Sequence, residues 1–341
     1  MTHAASLLGQ YLGGMVTDST NIDSDRLTST GTSERPLAVV VVTYNSNDVV
    51  GSLFDSLAEG LVGLTHTEIV VADNCSVDAS VATVLGHPIG ARVVHTGWNG
   101  GYAAGINAAL ATIGEDTDVL ILNPDIRLSR GVAAQLVSAL RQPGVGVAVP
   151  RILYENGGLV HSLRREPSLL TAWADALLGS KLGSGIDLGE SICNPRYYDL
   201  QRTVDWASGA VLAVSAAARR RVGAWDESFF LYSEEVDYQR RVRLEGLSIV
   251  YVPDAQVVHI GGDYQQRPRL YSILTTNRIR DYARHHGPAS TALFRLAVLV
   301  GECVRSLAGS TVHLAGMKAA LGAHRLLQES TTRSTPGVGD A

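Results

Sequence analysis

The chain has 341 residues, of which 45% are hydrophobic and 18% are charged, enough apolar material for one large domain or two smaller ones. Its net charge is −5 at pH 7, which argues against a nucleic-acid-binding protein. Cys75, Cys193 and Cys303 form no CxxC pair. This excludes a disulfide framework and a cysteine zinc site, and favours a reducing, cytoplasmic compartment.

The two ends of the chain predict disordered tails, over residues 1–35 and 328–341. The first is rich in Ser, Thr, Gly and Asp and lacks the basic and then apolar order of a signal peptide. Between the tails, no uninterrupted apolar run reaches the roughly 18 residues that a membrane span needs.

From Leu37 onward, strand-like and helix-like segments alternate. The runs "LAVVVVT", "TEIVVAD", "ARVVHT", "DVLILN" and "VGVAVP" are typical of buried parallel strands. Helix-like segments of about 10–15 residues separate them. The pattern predicts an α/β fold with a mostly parallel central sheet and helices on both faces. Ligands of such sheets bind beyond the carboxyl ends of the strands.

The second half of the chain is less regular. Residues 154–203 have weak periodicity and predict loops with a short helix. "WASGAVLAVS" and "LSIVYVP" predict strands, and "AAARRRVG" and "EEVDYQRRVRLEG" predict helices that end at glycine. The segment from Ser290 onward predicts apolar helix.

Polar side chains follow three predicted strands, at the edge where parallel strand ends meet. They are Thr43, Tyr44 and Asn45 after the first strand, Asp73 and Asn74 after the second, and Asn123 and Asp125 after the fourth. A turn or a helix cap is the ordinary role of any one Asp or Asn. Their convergence from three strands favours a ligand site.

The segment "GWNGGYAAGIN", from Gly97 to Asn107, is a glycine-rich turn between a strand and a helix. Such a turn lets the backbone approach a ligand and offers N–H groups to an anion. It lacks both the GxGxxG pattern and the GK[ST] of a P-loop, so a nicotinamide or P-loop site is weakly supported.

Asp125 and His259 are candidate metal ligands. Asp125 stands one residue beyond a buried strand, behind a proline, where a carboxylate could bind a hard divalent cation together with diphosphate oxygens. His259 follows the last predicted strand and precedes two glycines. A structural role is the alternative for a lone histidine.

Three acids, Glu234, Glu235 and Asp237, crowd the start of a predicted helix in "FFLYSEEVDYQRRVRLEG". Negative charge is favoured at a helix N-terminus, so capping is one explanation. Catalysis is the other.

The ordered set "VVVTYNS", "IVVADNCSVD", "GWNGGYAAGIN", "LNPDI", "WASGAVLAV", "GAWDESFFLYSEEVDYQRR", "YVPDAQVVHIGG" and "NRIRDYARHHG" resembles family 2 glycosyltransferases of the GT-A fold. The nearest likeness is to the bacterial rhamnosyltransferase-like branch, over about Leu37 to Gly287. Each motif is weak alone, whereas the ordered set is specific.

The resemblance implies a nucleotide-sugar-binding half over residues 36–150, an acceptor-binding half over 151–287 and a helical extension over 288–327. By motif, the residues of the nucleotide-sugar site would be Thr43, Tyr44, Asn45, Asp73, Asn74, Asn99, Gly100, Gly101, Asn107 and Asn123. Trp206 would form a wall of the pocket, with a plain core position as the alternative.

The resemblance also implies an inverting transferase with a Mg²⁺ or Mn²⁺ cofactor. Asp125 and His259 would hold the metal, with Asn123 where many relatives have a second aspartate. Glu235 would be the catalytic base, at a position where aspartate is usual. Glu234 and Asp237 are the alternative bases.

The rhamnosyltransferase likeness favours dTDP-rhamnose as the donor and a cell-envelope glycan or polyprenyl-diphosphate-linked acceptor. A UDP-sugar-using transferase of the same fold is one alternative. A nucleotidyltransferase is another, although the first strand ends in "TYNS" and not in a basic glycine-rich loop. A non-catalytic sugar-nucleotide-binding module would not need acids in both halves.

The segment "ALFRLAVLVGECVRSLAG" predicts an amphipathic helix. Arg295, Glu302 and Arg305 fall within about 80° of one another on a helical wheel, and the remaining face is apolar. Upstream of it lies a basic segment, with Arg267, Arg269, Arg278, Arg280, Arg284, His285 and His286. A basic segment next to an apolar helix suits an anionic membrane surface, here the inner face of the plasma membrane, or a polyprenyl-diphosphate acceptor. Packing on the domain or a homodimer interface is the alternative.

Overall fold

The computed structural model describes residues 35–185, 188–261, 267–307 and 309–333. The predicted tails fall largely on residues 1–34 and 334–341, which lie outside the described residues. The strands are β1 (Leu37–Thr43), β2 (Thr67–Asp73), β3 (Arg92–His95), β4 (Asp118–Leu122), β5 (Ile126–Leu128), β6 (Val145–Tyr154), β7 (Leu163–Arg164), β8 (Arg202–Val204), β9 (Trp206–Ala207), β10 (Val211–Val214) and β11 (Ser248–His259).

The helices surround one large sheet. They are α1 (Asn47–Gly60), α2 (Ser80–Gly86), α3 (Tyr102–Leu110), α4 (Val132–Leu140), α5 (Leu169–Gly185), α6 (Ala216–Val222), α7 (Glu234–Leu244), α8 (Pro268–His285), α9 (Pro288–Ser306) and α10 (Thr311–Arg333). A short 3₁₀ helix covers Pro195–Tyr198. Among the described residues, no helix combines the length and the apolar content needed to cross a bilayer.

The main sheet has nine strands in the order β3-β2-β1-β4-β10-β6-β11-β5, with β8 also paired to β11. Strands β3, β2, β1 and β4 are parallel, and β6 is parallel to β11. Strand β10 runs antiparallel between β4 and β6. The α/β prediction with a mostly parallel sheet is therefore confirmed.

Strand β1 shows why the sheet needs helices on both faces. All seven of its residues are buried, and successive side chains point to opposite faces. Val39 and Val41 pack with Leu53 under α1, whereas Val40 packs with Ile106 under α3. Since neither face of such a strand can meet water, both faces are covered.

Two segments differ from the sequence prediction. "WASGAVLAVS" is divided into β9, which pairs with β7 in a separate small sheet, and β10 in the main sheet. The irregular region 154–203 contains α5, a long helix interrupted at Gly179 (φ 70°). A left-handed residue breaks the apolar period, so the sequence shows only a weak helical pattern.

Helices α5, α8, α9 and α10 share a further apolar core. In it the ring of Tyr282 stacks on that of Phe294 with centroids 3.9 Å apart, and Ala176, Ile279 and Ala320 pack around them. Helix α10 continues to Arg333, into the region predicted as the second tail. Helices α5, α9 and α10 therefore pack with α8 as a helical layer beside the sheet.

Candidate active site

A cleft of about 750 Å³ opens beyond the carboxyl ends of β1 and β4. Six of the residues singled out from the sequence line it, and they come from both halves of the chain. They are Asn45, Asn123, Asp125, Trp206, Glu235 and His259. The predicted metal site and the predicted base therefore share one cavity.

One wall of the cleft holds a carboxylate and an imidazole that face each other. Asp125 Oδ1 lies 3.1 Å from His259 Nε2, because β5 pairs His259 with Ile126 and the Ile260 N–H donates to the Asp125 carbonyl (2.9 Å). Oδ1 is buried and makes no hydrogen bond among the described residues. The contact with His259 thus lacks hydrogen-bond geometry, and a carboxylate oxygen beside an imidazole nitrogen suits a divalent cation.

Gly261 is part of the same wall. A Cβ at this position would stand 1.9 Å from Asp125 Oδ2, far inside van der Waals contact. Position 261 must therefore be a glycine for the Asp125 carboxylate to keep its place.

Glu235, the second residue of α7, lines the same cleft. The two residues before α7, Tyr232 (φ 67°) and Ser233 (φ 74°), are both left-handed, a conformation that costs free energy in residues other than glycine. This turn starts α7 so that Glu235 lines the cleft. Its Oε2 is buried without a hydrogen-bond partner among the described residues.

Burial raises the pKa of Glu235 to about 7. Burial and the neighbouring charge of Glu235 hold the pKa of Glu234 well above its usual range. A carboxylate with a pKa near neutrality is suited to accept a proton at physiological pH. Of the three acids at the start of α7, only Glu235 is among the described residues that line the cleft.

Asp237 has a different environment. It is buried, and its Oδ2 accepts from Arg241 Nε at 2.9 Å. It lies near Asp281 and His285 in a cluster with metal-like spacing, but Arg240 binds both oxygens of Asp281 (2.8 and 2.9 Å). The two arginines already neutralise these acids, so the cluster is an ion-pair network that fixes α7 against α8.

The polar residues after β1 and β2 brace the strand ends. Thr43 Oγ1 donates to Asp73 Oδ1 (2.9 Å), and the Ser76 N–H donates to Asp73 Oδ2 (3.0 Å). Asn74 Nδ2 donates to the Gly101 carbonyl (2.8 Å). Thr43, Asp73 and Asn74 are buried, whereas Tyr44 is exposed beside them.

Asn45 stands at the mouth of the cleft in a left-handed conformation (φ 49°). Its backbone N–H donates to Ser76 Oγ and its Oδ1 accepts from the Val77 N–H, both at 2.9 Å. The turn role and the site role proposed for this residue are therefore compatible.

The glycine-rich turn joins the two halves of the chain. Gly101 has φ 90°, and a Cβ on it would stand 2.0 Å from the Phe230 carbonyl oxygen. That oxygen accepts from the Tyr102 N–H (3.0 Å). Asn99 Oδ1 accepts from the Gly101 N–H (3.1 Å), and Gly100 packs against Ala104. The turn therefore holds the loop that precedes α7.

Asn107 fixes the same contact from within α3. Its amide donates to the Trp225 carbonyl and accepts from the Trp225 N–H, both at 2.9 Å. With both ends of the amide used, Asn107 positions the loop before α7. It is not among the residues that line the cleft.

Trp206 satisfies both of its sequence interpretations. It is buried, its Nε1 donates to the Arg165 carbonyl (2.9 Å), and it lines the cleft. Arg164 lies over its ring, 5.8 Å from the centroid. The charge of Arg164 favours the ionised form of Glu235 and partly offsets the effect of burial on its pKa.

Sequence reasoning missed Arg164, Leu270 and Leu274 as cleft residues, and it assigned Arg267 and Arg278 to a basic segment without placing them in the cleft. Arg267, Leu270, Leu274 and Arg278 of the α8 segment line the cleft together with Arg164. The four in the α8 segment are spaced by three or four residues and so lie on one helical face. That spacing is visible in the sequence, but the polar residues at the strand ends do not indicate that this helix faces the cleft.

A mostly parallel sheet with an acid-lined cleft beyond its strand ends fits the GT-A architecture of glycosyltransferases. The chain belongs to glycosyl transferase family 2, whose family model matches residues 38–221. The resemblance inferred from the ordered motifs is confirmed.

Relatives support the same assignment. The N-acetylglucosaminyl-diphospho-decaprenol L-rhamnosyltransferase of Mycobacterium tuberculosis is 32% identical over 65% of this chain and 75% of its own. Rhamnosyltransferase WbbL of Escherichia coli is 24% identical over 65% of this chain and 82% of its own. A mannosyltransferase from Pyrobaculum calidifontis, solved with GDP-Man and Mn²⁺, shares the fold (TM-score 0.51, 19% identity, 89% of this chain and 82% of its own).

We expect Glu234→Gln to stabilise the fold, and more so at about pH 8 than at about pH 5. The Glu234 pKa is above its ordinary 4.5 in the folded chain. Between these two pKa values the unfolded chain loses the proton that the folded chain retains, so the free energy of unfolding falls as the pH rises. Glutamine removes this loss, which is worth about 1–3 kcal/mol for a buried unpartnered group.

Thermal unfolding of both chains across this pH range is the measurement. Glu245→Gln is the matched control, since Glu245 is exposed at the other end of α7. If Glu234→Gln raised the free energy of unfolding equally at all pH values, the raised pKa of Glu234 would not be the cause.

Proposed function

We propose that the chain is an inverting rhamnosyltransferase that moves rhamnose from dTDP-rhamnose to a polyprenyl-diphosphate-linked glycan. The observation that carries the proposal is that Asp125 and His259 share one cleft with Glu235. The curated relatives, two of them rhamnosyltransferases, support the donor sugar.

The chemistry is a single displacement. Glu235 accepts the proton of the acceptor hydroxyl, the acceptor oxygen bonds to the anomeric carbon, and the bond from that carbon to the diphosphate breaks. Because attack and departure are on opposite sides of the carbon, its configuration inverts. General-base assistance of this kind is commonly worth about 10²–10⁴-fold in rate.

Asp125 and His259 are the residues that would hold Mg²⁺ or Mn²⁺, with Asn123 beside them in the cleft. When bound, such a cation supplies positive charge against the departing diphosphate. The neighbour of the same fold was solved with Mn²⁺. Arg164, on the Glu235 side, supplies permanent positive charge near the base.

The α8 face of the cleft suits a lipid diphosphate acceptor. Arg267 is exposed and makes no ion pair with any described residue, so its guanidinium is available to a phosphate. Leu270 and Leu274 follow on the same face and offer apolar contact to a hydrocarbon chain. Arg278, in contrast, is paired with Glu190 at 2.6 Å. A charged group followed by an apolar surface matches a diphosphate attached to a prenyl chain.

The test is release of dTDP from dTDP-rhamnose by the purified chain, with N-acetylglucosaminyl-diphospho-prenol as acceptor and Mn²⁺ present. We expect release to require the acceptor and to stop with EDTA. UDP- and GDP-sugars under the same conditions test the donor. Turnover with a UDP-sugar alone would replace the donor assignment, and release of inorganic diphosphate from a nucleoside triphosphate would replace the reaction class.

A further inference from the structure

Helix α9 turns its charged side chains inward. Glu302 is buried and binds Tyr271, Arg305 and His313 at 2.7 to 3.0 Å. Arg295 donates to the Ala320 and Leu321 carbonyls of α10, both at 2.6 Å. The polar face predicted from the helical wheel therefore holds α8, α9 and α10 together.

The outward side of α9 is apolar as a result. Leu293, Leu296, Val304 and Leu307 are 47%, 45%, 57% and 87% exposed. Their spacing of 3, 8 and 3 residues keeps them within about 80° of one another on the helix. No carboxylate, lysine or arginine is exposed on α9 among the described residues. A water-facing helix surface of this composition is unfavourable unless something covers it.

Helix α5 extends this surface. A Cβ on Gly301 would stand 3.2 Å from Ala176 Cα, so the two helices are in close contact at that point. Leu177 and Leu178 follow Ala176 and are exposed. We call the exposed apolar residues of α5 and α9 the outer face; they are Leu170, Leu177, Leu178, Leu293, Leu296, Val304 and Leu307.

On α5, α8 and α10, the exposed charged residues among those whose exposure the structure describes are all basic. Lys318 is exposed on α10 between Leu314 and Leu321, which are also exposed. Arg267 and Arg269 are exposed at the start of α8. Within residues 169–179, 288–307 and 311–322, no exposed residue is acidic. An apolar surface with a basic margin matches an anionic lipid surface.

We propose that the outer face docks on an anionic lipid bilayer. Lysine among exposed leucines is favourable at a bilayer, where its stem lies along apolar surface and its ammonium reaches the headgroups, whereas lysine is depleted from interfaces between protein copies. Helices α5 and α8 also contribute Asp175, Leu270 and Leu274 to the cleft. Docking would therefore place a membrane beside the acceptor side of the cleft, which is the part of the proposal that rests on the proposed function.

The experiment is sedimentation of the full chain with vesicles, in the absence of donor and acceptor. One set contains phosphatidylglycerol and phosphatidylcholine, and the other phosphatidylcholine alone. We expect binding to the first set, weaker binding to the second, and loss of about tenfold or more of the partitioning in Leu296→Gln/Val304→Gln. Lys318→Gln should lower binding to the anionic vesicles about fivefold.

The matched control is Leu200→Gln/Leu244→Gln, since these leucines are also exposed but lie outside the helices of the outer face. Equal loss in the control would overturn the proposal. So would a wild-type chain that leaves both vesicle sets unbound, and light scattering then shows whether Leu296→Gln/Val304→Gln dissociates a dimer instead. Because no donor is used, failure here is distinct from failure of dTDP release with a short-chain, water-soluble acceptor.

Discussion

Glu235→Gln is expected to lower the rate of sugar transfer by about 10²–10⁴-fold. Glutamine keeps the size of the side chain and its contact with Gly209, where a Cβ would already stand 3.2 Å from the Glu235 Cβ. It removes the proton acceptor from the wall of the cleft. Donor and metal binding are proposed to depend on Asp125 and His259, so the rise in apparent stability caused by dTDP-rhamnose and Mn²⁺ should persist.

Two comparison variants make the result specific. Glu245→Gln on the same helix should have wild-type turnover, because Glu245 is exposed and outside the cleft. Asp237→Asn tests the alternative base; its defect should appear in stability, through the lost ion pair with Arg241. Turnover by Glu235→Gln within a factor of about ten of wild type would place the base elsewhere.

The pH dependence follows from the same residue. A base must be ionised to accept a proton, and burial raises the pKa of Glu235 to about 7. The rate of the wild-type chain should therefore rise with pH and level off above about pH 7. The residual rate of Glu235→Gln should lack this rise.

Asp125→Asn is expected to lower turnover by about 100-fold or more, since a metal ion contributes several kcal/mol of charge stabilisation and each 1.36 kcal/mol is about tenfold. An amide is a neutral and weaker ligand for a hard cation than a carboxylate. The variant should also lose the Mn²⁺-dependent part of the stabilisation by dTDP, which thermal unfolding with dTDP, with and without Mn²⁺, measures.

Asp254→Asn is the matched control for this variant. Asp254 is exposed on β11, the strand that ends at His259. It should behave as wild type in both assays. If Asp125→Asn retained turnover that EDTA abolishes, the metal would be held by other residues, and the buried unpartnered Oδ1 of Asp125 would need another explanation.

The sheet and much of one wall of the site could be predicted from the sequence. Strand β1 is a continuous β-branched run, and Asp125 follows a similar run, so their positions at one sheet edge follow from parallel pairing alone. The placement of His259 beside Asp125 could not be derived in this way. It depends on β5, a three-residue strand that pairs antiparallel with β11 and has too few residues to show a period.

The acceptor side was less predictable for a related reason. Its residues come from β7, β9, α7 and α8, and long-range packing brings these short elements together. Arg164 looks like an ordinary surface arginine in the sequence, and Arg278 is one of several basic residues in its segment. The inward orientation of the charged face of α9 was also hidden, because a helical wheel gives the relative positions of side chains but not which face meets the protein.

The contact between Gly101 and the Phe230 carbonyl has a consequence for the design of hybrid enzymes. Exchanging the first half of this chain for that of a relative would replace one partner of the contact and keep the other. Any residue other than glycine at position 101 would push away the segment that carries Glu235, since its Cβ would overlap a backbone oxygen. A chimera intended to accept a new sugar donor must therefore retain this glycine, or Glu235, the proposed base, will be misplaced even when the donor binds.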